Sequence, residues 1–182
     1  MHGRARRRGV ASRLAVAAAL ALVVVGVEAL PARAALTASL SDLTLPPVLY
    51  SHMDQTSAGT VTLTATESAP PTLGWNVTIV SSDLAYTGGN TGTPIPASQL
   101  ALTSAGAPSV ASGQAVDAVG GPKVPLISPV GSLESPRRVL HALVGFGNGT
   151  YTQQLGLALT VPGRSRAGTY TATITTTIAS GP

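Results

Sequence analysis

The chain has 182 residues, no cysteine, 3% aromatic side chains and a formal charge of +4. Without cysteine it has neither disulfide staples nor thiolate metal ligands, so an ordered domain must be held by its core. The positive charge is local, because Arg4, Arg6, Arg7, Arg8, Arg13 and Arg33 all precede residue 35.

That first stretch has a basic start, an uncharged apolar run over 14–27 and the small-x-small triplet Ala32-Arg33-Ala34. The order is that of a helical signal peptide over 1–34, cleaved after Ala34. An apolar run of 14 residues falls short of the roughly 20 that a bilayer core requires, so no membrane anchor is expected after cleavage. The Arg7-Arg8 pair leaves general secretory and twin-arginine export both open. The remaining chain, 35–182, is 148 residues with five basic against six acidic side chains, and is read as one domain. So balanced a charge gives no footing for nucleic acid, which needs clustered Lys and Arg on the folded domain.

Residues 36–45 begin with Leu36, Ala38 and Leu40 on one parity and continue with Leu43 and Leu45 on the other, which predicts a strand bent near Ser41-Asp42. Pro46-Pro47 ends it, since proline has no ladder donor. Over 59–67, Val61, Leu63 and Ala65 alternate with Thr60, Thr62, Thr64 and Thr66, the two-residue period of a half-buried strand. Trp75, Val77 and Ile79 repeat the pattern, with the single tryptophan as the largest body of the core.

Residues 83–96 read as a surface loop and 95–102 as a short strand or turn. The Gly- and Pro-rich segment at about 104–136 reads as a long loop hiding short strands, with 124–130 as an edge strand. An apolar run at 139–144 and the glycine turn of 145–150 follow. Leu155, Leu157, Leu159 and Val161 then mark a strong strand, with 162–168 as a hairpin into the final one. There Tyr170, Ala172, Ile174 and Ile178 face in and Thr171, Thr173, Thr175 and Thr177 face out. The expected fold is all-β: an antiparallel β-sandwich, Greek-key-like, with six to eight strands.

The segments Gly74-Trp75-Asn76-Val77-Thr78-Ile79, the glycine run of 142–151, Leu155-Gly156-Leu157-Ala158-Leu159-Thr160-Val161-Pro162 and Ala167-Gly168-Thr169-Tyr170-Thr171-Ala172-Thr173-Ile174 together resemble the WxL domain of Gram-positive bacterial surface proteins, from about 36 to 182. Val77 stands where the first family motif has Leu, and Thr176 where the second would place Trp. The resemblance implies a secreted, cell-wall-associated, non-catalytic β-domain that binds peptidoglycan non-covalently and joins other surface proteins.

The residues themselves offer little to catalysis, and neither an enzyme nor a cofactor is expected. His52 and His141 lack metal-ligand spacing, and the carboxylates stand singly, without the oxygen cluster that calcium needs. A glycosidase would require two carboxylates flanking a cleft. Ligand-binding candidates are Trp75, as a sugar platform set against its strand position, and the basic pairs Arg137, Arg138 and Arg164, Arg166, set against solvated turn charges. The threonine rows make an uncharged outer surface, and long strands without lysine make self-association by strand addition the rival reading.

Overall fold

The computed structural model describes residues 36–68, 73–89, 91–127 and 129–181, so the signal peptide expected over 1–34 lies outside the described residues. The strands, in chain order, are β1 (Leu36–Leu40), β2 (Gln55–Glu67), β3 (Trp75–Ser81), β4 (Ala85–Tyr86), β5 (Leu100–Ala105), β6 (Ser109–Gly113), β7 (Gly131–Ser132), β8 (Arg137–Ala142), β9 (Gly149–Val161), β10 (Tyr170–Thr171) and β11 (Ile174–Ser180). One 3₁₀ turn, Ala97–Gln99, precedes β5, and the described residues contain no α-helix. The fold is all-β and its strand pairings are antiparallel.

β2 and β9 set the frame. They pair along their whole length, from Gln55 opposite Val161 to Glu67 opposite Gly149, a ribbon about 40 Å long at the usual rise of a strand. The order of the large sheet is β1-β2-β9-β5-β7, with β6 also on β9, so β5 and β6 share one edge of that strand. A smaller sheet has the order β11-β3-β8, and β10 and β4 form a two-stranded ribbon.

Both sheets turn apolar faces to one core. Val61, Leu63 and Ala65 of β2 and Leu155 and Leu157 of β9 meet Trp75, Val77 and Ile79 of β3, all almost without solvent contact. Burying side chains of this size contributes about 1.5–3 kcal/mol each. Leu133 ties the sheets by its main chain: its N–H donates to the Leu100 carbonyl at 2.8 Å and its carbonyl accepts from the Ser81 N–H at 2.9 Å.

Two breaks in the ladders matter. In β8, Leu140 pairs with Val77 and Arg138 with Thr78, so Val139 is an extra residue bulged out of the pairing. The bulge explains why Val139 and Leu140, neighbours in sequence, are both buried. The second break is the corner at Gly106, between β5 and β6. Gln153, which is 1% exposed, answers both. Its Nε2 donates to the Gly106 carbonyl at 2.9 Å and to the Val139 carbonyl at 3.1 Å.

Several expectations are corrected. The described residues of 124–130 form no strand; the short β7 lies just after them, and Leu126 and Ile127 are 97% and 87% exposed. The turn after β9 is not a hairpin, because β9 belongs to the large sheet and β11 to the small one. The last strand is interrupted at 172–173, where Ala172 is exposed rather than inward and the partner changes from β4 to β3. No bend continues β1 past Leu40, although Leu43 and Leu45 do pack on the core. The loop over 83–96 is pinned inward by Leu84 and Ile95, which are buried and exchange main-chain hydrogen bonds at 2.8 and 3.0 Å.

Gln153→Met keeps the volume and removes the donor to the buried Val139 carbonyl and the half-buried Gly106 carbonyl, so urea unfolding should show a loss of about 1–3 kcal/mol. Gln153→Glu should lose more at neutral pH, where a carboxylate faces two carbonyl oxygens, and recover part of that loss when protonated.

Candidate functional site

β1 and β2 are joined by a strap over 41–54 with no secondary structure of its own. The strap runs across the inner face of β2. Gly59 makes room for it, since a Cβ there would stand 2.9 Å from Leu43 Cδ1 and 3.0 Å from Leu45 Cδ2. The Ser57 hydroxyl fastens it by donating to the Pro46 carbonyl at 2.6 Å. Past the two prolines the strap shows apolar side chains to water, with Leu49 87%, Tyr50 65% and Met53 74% exposed.

The opposite wall is the crossover over 165–174. Tyr86 and Tyr170 brace it edge to face, with ring centroids 5.3 Å apart. Their hydroxyls donate back to the crossover, from Tyr86 to the Ala167 carbonyl at 3.1 Å and from Tyr170 to the Arg166 carbonyl at 3.0 Å. Between strap and crossover lies a groove of about 850 Å³, whose lining includes Val61, Leu84, Leu100 and Leu159 from the core. Its charged lining residues are Asp42 and Arg166. The volume is near the top of the roughly 300–1,000 Å³ typical of ligand pockets.

The expected binding residues are dispersed. Arg166 lines the groove, whereas Arg164 lines a separate cleft of about 370 Å³ with His52, Asp54 and Gln99. Asp54 Oδ1 holds that turn by accepting from the Gly163 N–H at 2.9 Å. Arg137 is engaged within the domain, its Nε donating to the Ser132 carbonyl at 2.9 Å, while Arg138 is exposed; neither lines the groove.

Trp75 is 0% exposed, so its ring has no face free for a sugar, and its strand position decides its role. Its Nε1 donates to the Gly147 carbonyl at 3.0 Å and it packs 6.2 Å from the Tyr151 ring. Gly147 has φ +84°, and a Cβ there would come within 2.6 Å of both Ala142 Cβ and the indole nitrogen. The strap was the part that sequence reasoning missed. Its signal was an apolar stretch, Val48-Leu49-Tyr50, lying beyond Pro46-Pro47 and lacking any period.

Two titratable groups lie away from the groove. Burial makes the His141 imidazole harder to protonate than its ordinary 6.5, and the positive charges of Lys123 and Arg138 add to this. Its Nδ1 is buried without a partner among the described residues. Asp117 is held below its ordinary 3.8, first by the Gly120 N–H and then by the Val119 N–H, which donate to Oδ1 at 2.6 and 2.8 Å. Among the described residues no group of three or more His, Cys, Asp or Glu is placed to hold a metal ion. No family model, curated protein or solved structure matches the chain.

Three measurements test this description. Trp75 should emit at short wavelength and stay unquenched by iodide, and Gly147→Ala should destabilise the fold by at least about 1 kcal/mol through strain and the indole contact. His141 and Asp117 have depressed values in the fold, so each contributes stability above its unfolded value and loses it as pH falls. Thermal melts should therefore decline as pH drops below 6.5, with His141→Gln removing part of that slope. A further decline below 3.8 should shrink in Asp117→Asn.

Proposed function

We propose that this is an exported, non-catalytic cell-surface protein that attaches non-covalently to the cell wall, through peptidoglycan or wall-associated components. Its fold is then an antiparallel β-sandwich with Greek-key-like crossings, as the resemblance to WxL domains implies. The sheet changes at the β2 to β3, β8 to β9 and β9 to β11 connections support that architecture. The observation that carries the functional reading is the groove: an open, largely uncharged slot bordered by exposed Tyr50 and by Arg166. A tyrosine ring offers an apolar face with a polar tip, and a guanidinium pairs with the carboxylates of a wall polymer or of its proteins.

The test is co-sedimentation of residues 35–182 with isolated cell walls. The wild type should pellet without added cofactor. Tyr50→Ala with Arg166→Glu should reduce the bound fraction at least tenfold, and Arg137→Ala with Arg138→Ala should leave it unchanged. A domain that stays in the supernatant at every concentration ends this reading.

Self-association by strand addition is favoured by β6, all five residues of which are exposed. β6 pairs with β9, and no second strand is hydrogen-bonded to it among the described residues. Its sequence Ser109-Val110-Ala111-Ser112-Gly113 has no charge to repel a copy. Sedimentation velocity should then show mass rising with concentration, and Val110→Lys should hold the protein monomeric; a monomer at all concentrations removes this reading.

A further inference from the structure

One wall of the groove is the strap, whose main-chain groups lack main-chain partners among the described residues. Over 42–50 no main-chain N–H or carbonyl has a main-chain partner among the described residues; the Pro46 carbonyl takes the Ser57 hydroxyl. The opposite wall is tied on its far side, where Tyr170 and Thr171 pair with Tyr86 and Ala85 and the Thr173 carbonyl accepts from the Ser82 N–H at 3.0 Å. The strap, without regular structure, and the crossover, strand only at Tyr170–Thr171 and from Ile174, thus flank an aliphatic surface that includes Val61, Leu84, Leu100 and Leu159.

We infer that this groove is a strand-receiving slot, whose partner is an extended polypeptide segment with aliphatic side chains at every second position and no charge between its ends. The inference rests on the groove being the binding site of the wall-associated reading, and it names the class of ligand. Three features select a peptide. Free main-chain groups of the strap on either side of Pro46-Pro47 give an incoming strand short stretches of ladder to join. Side chains of a strand point alternately to either face, so one set meets the aliphatic surface while the other meets water. The aliphatic part of the lining, with Val61, Leu84, Leu100 and Leu159, rewards the burial of apolar side chains, which a strand with aliphatic residues at every second position supplies along its length. Asp42 and Arg166, as the groove's charged side chains, accept opposite charges only where they stand and leave the rest of the slot neutral.

The probe is a phage-displayed library of random ten-residue peptides, selected on immobilised residues 35–182. Enriched sequences should carry aliphatic residues at alternate positions without internal charge. A synthetic consensus peptide should slow hydrogen exchange over 42–50 and lose at least tenfold in affinity when alternate nitrogens are methylated. Leu49→Pro removes a main-chain donor that has no partner within the domain, so it should leave the melting temperature near the wild type and weaken the peptide. If that variant melts early, the N-methylated peptide and the exchange data decide alone. No enrichment, enrichment without a period of two, or indifference to N-methylation overturns the inference. Cell walls that still pellet the domain would then leave the wall-binding reading standing with a different ligand, such as the glycan. If the walls fail as well, both fall.

Discussion

One side-chain amide links the irregularities of this fold. Gln153 sits on the inner face of β9, one of the two longest strands, and gives its two N–H groups to two carbonyls that regular pairing does not serve, one at the β5 to β6 corner and one at the β8 bulge. A buried carbonyl without a partner is costly, so the bulge and the corner are tolerable together because the same amide reaches both. The amide also fixes a distance between sheets that otherwise meet through non-directional aliphatic contacts. Its Oε1 is buried without a hydrogen-bond partner among the described residues, so the polar contact is not complete.

Around this clip the core obeys simple rules. Trp75 fills the far end and bonds the glycine turn before β9, where Gln114 Oε1 also accepts from the Gly147 N–H at 3.0 Å. The Tyr151 hydroxyl closes the same corner by donating to the Gln114 carbonyl at 2.8 Å. At the opposite end no buried aromatic ring stands among the described residues, and the strap with Leu43 and Leu45 substitutes for a covering strand. The domain is thus closed at one end by a packed and hydrogen-bonded corner and open at the other, where the groove lies.

The strands most legible in the sequence were those whose alternation survives to the fold, such as Val61, Leu63 and Ala65 or Trp75, Val77 and Ile79. What escaped was long-range choice. Pro162-Gly163 reads as a turn whether the chain returns beside itself or crosses to another sheet, and the outcome depends on Ile174 and Ile178 finding β3. Val139-Leu140 gave no period because a bulge had consumed it. Gln153 was readable in principle, as a polar residue on the parity of Tyr151, Leu155 and Leu157, and such a position usually marks a satisfied polar group inside. Of the candidate site, Arg166 was legible as a residue but not as a lining residue, because the strap that makes a groove beside it carries no repeating pattern.

The long pairing of β2 with β9 also governs how the domain assembles. Leu63 and Gln153, which face each other across it, are 90 positions apart, so joining them costs about 4 kcal/mol in loop-closure entropy before any contact is gained. Distant pairing of this kind places folding in the slow range of milliseconds to seconds. During synthesis the β1–β2 hairpin has all its residues well before β9 exists, and until then β2 keeps a thirteen-residue open edge whose only charged residue is Glu67. The nascent domain is consequently most prone to aggregate in that interval, and its last quarter acts as the seal.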